Sequence, residues 1–239
     1  MAVITRETDY ALRALIRLAQ GPGAIPVRAL AEREDAPEAF LRKIMQRLHR
    51  AGIDALEINI SCPNVHDEFG LPFAADPGAA AQATAAVREA VPPDIPVLVK
   101  LSPNVADVAA IARAVEDAGA DGITAINTLS GMVIDVHARR PILANRTGGL
   151  SGPAIHPLAL RCVYDIYRGV RIPIVGTGGV SNGRDAVAMI MAGATAVGVG
   201  SAVYDGGPEV LGRIGAEMAA LMAELGYESV NEMRGAAHD

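Results

Sequence analysis

Tryptophan is absent from this 239-residue sequence, and aromatic residues make up only 3% of it. Any core must therefore be built from aliphatic side chains and alanine. Hydrophobic residues at 51% and charged residues at 20% exclude a disordered chain. Cysteine occurs twice, as Cys62 and Cys162, too far apart for a disulfide framework. That pattern predicts reduced thiols and a cytoplasmic protein. No stretch reads as a membrane span. The longest uncharged run, Ala186 to Val203, contains Gly193, Thr195, Gly198, Gly200 and Ser201, and reads as helix, turn and buried strand. Arg6, Glu7, Asp9, Arg13 and Arg17 interrupt any apolar stretch near the start, so no secretory signal is expected. The five histidines have no ligand spacing, and no metal is predicted. Lysine is scarce as well: beyond residue 52 there is Lys100 alone, against eleven arginines.

Charge is unevenly placed on a chain of net charge −6. Residues 1–52 hold nine Lys and Arg against six Asp and Glu, net +3, which leaves −9 for residues 53–239. The basic segment reads as helices only. Thr8 or Asp9 caps a first helix, Gly21-Pro22-Gly23 ends it, and a third helix opens at Pro37. That third helix would bury Phe40, Leu41, Ile44, Met45 and Leu48 and turn Arg42, Lys43, Arg47 and Arg50 outward. The spacing predicts a helix-turn-helix-like domain over 1–52.

From Ile53 the pattern alternates. Short apolar runs at 55–60, 96–101, 122–126, 172–175 and 196–199 are bounded by Gly, Pro, Asn or Ser. Helical stretches fall near 76–90, 106–118, 157–168, 183–192 and 208–224. Five βα units predict a parallel sheet flanked by helices over 53–239. Ala118-Gly119-Ala120-Asp121 and Ala192-Gly193-Ala194-Thr195 repeat one logic, a helix end turning into a strand.

Parallel α/β folds gather reactive groups at the C-terminal ends of their strands. Here those ends carry Asn59 to Asn64, Lys100, Asn127-Thr128, Gly176 to Gly179 and Gly200-Ser201. Amides, a thiol, an ammonium and exposed backbone N–H groups suit a planar, polar, anionic ligand. A lysine ending an apolar strand either pairs with a carboxylate or offers a compact cation to charge developing on a ligand. Cys62 on a loop after a strand can act as a base, whereas mid-helix Cys162 reads as core. The glycine run at 176–179, with Gly200-Ser201 on the next strand, predicts a barrel-type phosphate pocket more than a dinucleotide loop.

Five motifs in one order carry a resemblance: residues 56–64, 99–104, 127–132, 148–155 and 174–179. The segment from Asp54 to about Arg234 resembles dihydroorotate dehydrogenase, specifically the branch that passes electrons through an iron–sulfur flavoprotein partner to NAD. The resemblance implies oxidation of dihydroorotate to orotate, with FMN as cofactor. It implies that Cys62 takes the C5 proton and that Lys100 sits by the flavin. Asn59, Asn64, Asn127 and Thr128 would hold the substrate. Asn59, Ile126, Gly152, Gly178, Gly179, Gly200 and Ser201 would contact FMN. His156 stands where that branch leads one to expect lysine.

In the family three βα units precede the strand near Asp54, and residues 1–52 hold no counterpart, so the expected fold is an incomplete (β/α)8 TIM-type barrel. Two open sheet edges make a homo-oligomer the expected state. Residues 4–15 and 40–44 instead resemble the start of iron–sulfur-sensing winged-helix repressors. Their wing and cluster cysteines are missing, so at most weak DNA binding is expected. The alternative reading is a DNA-binding regulator whose flavin-binding or non-catalytic body only senses or dimerises. Another flavin reductase of pyrimidines is a third, and Asn64 argues against it.

Overall fold

The computed structural model describes residues 55–61, 75–91 and 93–238. The helix-turn-helix expected over 1–52 lies outside them, as do its seam at Ala51-Gly52 and the Cys62–Asn64 part of the first motif.

Within the described residues the alternation of strand and helix is as expected. Strands β1 (Leu56–Asn59), β2 (Val97–Leu101) and β3 (Gly122–Ala125) come first. The small strands β4 (Leu129–Gly131), β5 (Ile134–Asp135), β6 (Arg140–Pro141) and β7 (Gly148–Leu150) follow, then β8 (Ile174–Thr177) and β9 (Ala196–Gly198). Strands β1-β2-β3-β8-β9 pair in that order as one parallel sheet. Among the described residues β1 and β9 pair on one side only, which agrees with part of a TIM-type barrel.

Helices α1 (Pro77–Ala90), α2 (Val108–Asp117), α3 (His156–Tyr167) and α4 (Gly183–Met191) cross between the strands. After β9 come α5 (Ser201–Gly206), α6 (Glu209–Leu225) and α7 (Val230–Met233). Short polar residues open several of these helices. Asp76 accepts from Ala79 N, Asp107 from Ala110 N and Asn182 from Asp185 N, each satisfying an orphan donor of the first turn.

The two repeated helix ends share one geometry. Gly119 N donates to Glu116 O and Ala120 N to Val115 O; Gly193 N donates to Ile190 O and Ala194 N to Met189 O. This is the Schellman arrangement, which needs a left-handed residue, and both glycines have positive φ, 96° and 116°. Both turns deliver the chain directly into the next strand.

One face of the sheet is sealed by helices. Val97, Val99, Leu101, Ile123, Ala125 and Ile174 are buried there against Val87, Ile111, Val115, Cys162, Val163, Ile166, Met189 and Ile190. The core is aliphatic and alanine-rich, as the shortage of aromatics requires. Cys162 is fully buried within it, and burial pushes its thiol pKa up.

Two boundaries differ from expectation for visible reasons. The fourth sheet strand begins at Ile174 rather than Ile172, because Arg171 N and Ile172 N are both taken by the Glu116 carboxylate, at 2.8 and 3.1 Å. The stretch 129–150, for which no elements were expected, folds into two antiparallel pairs, β4 with β7 and, between them in sequence, β5 with β6. No helix among the described residues is long and apolar enough to cross a membrane; Ala186–Val203 is the end of α4, a turn, β9 and, beyond the expected strand, the start of α5.

Candidate active site

Side-chain alternation along a strand decides what reaches the face opposite the helices. Because Ile58, Val99 and Ile123 point into the sealed core, Glu57, Asn59, Lys100 and Thr124 share the other face. The parallel register sets Asn59 beside Lys100 and Lys100 beside Thr124. These residues end three adjacent strands, so their polar groups meet at one rim.

Asn59 organises part of that rim. Its Oδ1 accepts from Ser61 N at 3.2 Å, from Ser61 Oγ at 2.8 Å and from Asn127 Nδ2 at 3.4 Å. Asn127 Nδ2 also donates to Ser61 Oγ at 2.8 Å, and Asn127 Oδ1 accepts from Thr128 N at 2.7 Å. Ser61 is almost fully buried inside this network. Backbone bonds fix the third strand's end as well: Ile126 N donates to Thr177 O and Asn127 N to Leu101 O, both at 2.8 Å. Asn59, Asn127 and Thr128, expected at the site from sequence, are therefore brought together.

Lys100 follows the first of its two sequence readings and pairs with a carboxylate. Its Nζ lies 3.7 Å from Glu57 Oε1, an ion pair, while the side chain keeps partial exposure on the rim side. Glu57 is itself tethered, since Thr124 Oγ1 donates to Glu57 Oε2 at 2.6 Å. Sequence reasoning passed over Glu57. Its signal was a carboxylate inside the apolar run Leu56-Glu57-Ile58, two positions before Asn59 and hence on the same face.

A second cluster forms at the ends of β8 and β9. Gly179 has φ 69° and Gly152 φ 86°. A Cβ on Gly179 would lie 2.5 Å from Gly152 O and 3.0 Å from His156 N, so the two loops touch backbone to backbone. A Cβ on Gly152 would lie 3.8 Å from Ser201 Oγ, and one on Gly178 3.5 Å from Ile126 Cγ1. Gly152, Gly178, Gly179, Ser201 and Ile126 are thus neighbours. The Ile126 side chain is buried beside this loop. Gly200, exposed at the start of α5, has open space around it.

His156, also outside the expected site set, braces this cluster. Its Nδ1 lies 3.0 Å from Gly178 O and its Nε2 3.8 Å from Asp185 Oδ1. Asp185 Oδ2 in turn accepts from Ser181 N and Oγ. An imidazole thus supports the loop that sequence assigned to a phosphate.

Bare backbone at the glycine loops, a hydroxyl at Ser201 and a cation at Lys100 form a donor set suited to a phosphorylated, anionic ligand. Cys62 and Asn64 lie outside the described residues. The described residues hold no group of three or more potential metal ligands. An open, polar groove of about 310 Å³ lies elsewhere, lined by Arg113, Arg161, Asp165 and Arg168 on α2 and α3, and takes no part in the rim.

The dihydroorotate dehydrogenase family model matches residues 16–222. That match starts inside the segment read as helix-turn-helix, and nothing in the comparisons supports the repressor resemblance. Among the curated relatives is the dihydroorotate dehydrogenase B (NAD(+)) catalytic subunit of Methanosarcina acetivorans. It is 43% identical over 224 residues, covering 94% of this chain and 70% of that protein. The protein of the same description from Desulforamulus reducens is 51% identical over 197 residues, covering 82% and 64%. That from Geobacter sulfurreducens is 53% identical over 184 residues, covering 77% and 59%. The chain therefore spans between 59% and 70% of the length of these relatives.

Proposed function

The chain belongs to the dihydroorotate dehydrogenase family, and on that premise we propose that it oxidises dihydroorotate to orotate in pyrimidine biosynthesis, with FMN as cofactor. The observation that carries this reading is the shared rim. The Asn59–Ser61–Asn127–Thr128 network and the tethered Lys100 cation stand at adjacent strand ends of the sheet that also carries the glycine loops.

FMN, when bound, would supply a two-electron acceptor for the hydride leaving C6 of dihydroorotate. The chain's own residues do the remaining work. Cys62 removes the proton from C5, so that one proton and one hydride account for the two hydrogens lost. Cys62 directly follows Ser61, whose place is fixed by Asn59 and Asn127. Asn59, Asn64, Asn127 and Thr128 hold the pyrimidine amide and the carboxylate, with amide nitrogens donating to carbonyl oxygens. The Nδ2 of Asn59 has no hydrogen-bond partner among the described residues and is available for this. Lys100 would stabilise negative charge on the bound cofactor, and Glu57, tethered by Thr124, pairs with its ammonium. Gly152, Gly178, Gly179, Gly200 and Ser201 would receive the ribityl chain and phosphate.

The relatives are named catalytic subunits acting with NAD(+). Electrons from this chain would accordingly leave through an iron–sulfur flavoprotein partner toward NAD.

Purification followed by chromatography of the released flavin tests the cofactor. FMN is expected, and FAD alone would reject the reading. Anaerobic dihydroorotate should bleach the bound flavin, and Cys62→Ser should slow bleaching by about 10²–10⁴-fold, the range for a general base. An unchanged rate would remove Cys62 from the mechanism.

A further inference from the structure

The loop that leaves β8 is held at both ends by one pair of side chains. Asp185, in the first turn of α4, takes one end: its Oδ2 accepts from Ser181 N at 2.9 Å and from Ser181 Oγ at 2.8 Å. Its other oxygen faces His156 Nε2 at 3.8 Å. His156, the first residue of α3, takes the other end through Nδ1, 3.0 Å from Gly178 O. A carbonyl oxygen can only accept, so the hydrogen of that bond belongs to Nδ1. With 13% of its side chain exposed, the imidazole is packed in place and is no mobile surface group.

Planarity turns this contact into an orientation of the next donor. The Gly178–Gly179 peptide bond is trans, so its C=O and N–H point in opposite directions. With the carbonyl turned to His156, the Gly179 N–H is aimed away from that side chain. Both glycines have their backs to α3: a Cβ on Gly178 would lie 2.6 Å from Ala159 Cβ, and one on Gly179 2.9 Å from His156 Cβ. Gly179 is buried, and its N–H has no hydrogen-bond partner among the described residues. Buried backbone donors are paired in the great majority of cases, so this one calls for an acceptor from outside the described residues. Glycine on both sides leaves the peptide plane free to turn, and the Nδ1–H bond removes that freedom.

Resting on the reading of this loop as the FMN phosphate site, we propose that His156 is a positioning residue for the phosphate: by taking the Gly178 carbonyl it presents the Gly179 N–H to the phosphate oxygens. Asp185 keeps the ring in that orientation from its far edge. A hydrogen bond to a charged oxygen is roughly twice as strong as a neutral one and weakens steeply off axis, so a turned peptide forfeits it. His156 therefore sets how strongly the site prefers a phosphorylated flavin to the same flavin without phosphate, although it need not touch the flavin itself.

Dissociation constants for FMN and for riboflavin, which lacks the phosphate, test this on the flavin-free full chain by fluorescence quenching. Wild type should prefer FMN by about 100-fold or more, the scale of several charge-assisted hydrogen bonds. His156→Ala should weaken FMN by about tenfold or more, the scale of one such bond, and leave riboflavin within about twofold. Asparagine puts its amide nitrogen where Nδ1 stands, and glutamine where Nε2 stands. His156→Asn should therefore hold FMN near wild type, while His156→Gln should behave like the alanine variant. Should the alanine variant not fold, the Asn and Gln pair decides, with unfolding midpoints showing that both are folded. Equal loss of both flavins in His156→Ala, or Asn and Gln variants that bind FMN alike, would overturn the proposal and leave the phosphate reading standing in a wild type that prefers FMN. A wild type that binds the two flavins equally would overturn both together.

Discussion

Replacing Gly179 with alanine tests the backbone contact between the two glycine loops, because the cost can be worked from its surroundings. At φ 69° an alanine occupies the left-handed region, at about 1–2 kcal/mol. Its Cβ would sit 2.5 Å from Gly152 O, 2.9 Å from His156 Cβ and 3.0 Å from His156 N. Two of those three atoms are backbone, so a rotamer change cannot relieve the clash. Overpacking of this kind adds roughly 1–3 kcal/mol. The expected total is about 2–5 kcal/mol, a large part of the about 5–15 kcal/mol that stabilises an ordinary domain. With a urea slope of about 1–3 kcal/mol/M, the unfolding midpoint should fall by roughly 1–2 M. The 152–156 segment must also retreat from the 178–179 loop, opening the proposed phosphate site, so FMN affinity measured by fluorescence quenching should fall at least about tenfold. Gly215→Ala is the control. It lies in α6, outside the glycine loops, with nothing within 4 Å of its added methyl, so FMN affinity should stay at wild type and the midpoint should not fall. A Gly179→Ala protein with wild-type midpoint and wild-type FMN affinity would refute the packing argument and the assignment of this loop together.

Asn104→Ala removes the side chain that ties Ser102, Thr128 and Ser130, so amide exchange at Ser130 should accelerate. At about 1 kcal/mol per lost hydrogen bond, KM for dihydroorotate should rise roughly 5- to 30-fold while FMN affinity holds; an unchanged Ser130 exchange rate would refute the clamp. Glu217 has its pKa held below the usual range by the Gly183 N–H and then by Arg213. The stability it contributes is present above the ordinary glutamate pKa and is lost as pH falls through the depressed value, so the gap in unfolding midpoint between wild type and Glu217→Gln seen at pH 7 should narrow as pH falls below the ordinary glutamate range. The buried, raised Cys162 thiol should resist alkylation in the folded protein, and Cys162→Ser should cost about 1–3 kcal/mol by burying a hydroxyl. Fast alkylation at neutral pH would place that thiol outside the core.

Much of the fold was determined by local pattern alone. The runs at 96–101 and 122–126 became β2 and β3 within a residue or two, because apolar strands bounded by Pro, Gly and Asp have few other places to go. Ala-Gly-Ala-Asp and Ala-Gly-Ala-Thr named their own turns, since the residue that ends such a helix must tolerate positive φ. The neighbourhood of Asn59, Asn127 and Thr128 was legible too, because parallel strands put their C-terminal ends on one rim. Tertiary structure decided whatever depended on register between distant segments. Glu57 meets Lys100 and Thr124 only once β1, β2 and β3 lie side by side, across separations of 43 and 67 positions. The bracing of Gly178 by His156, and of His156 by Asp185, depends likewise on how α3 and α4 pack against β8. The hairpin 129–150 gave no periodic signal, because strands of two or three residues are shorter than the pattern that would reveal them. Its exposed apolar face is a property of where the chain leaves the sheet, and no window of sequence could say which of those side chains would remain uncovered.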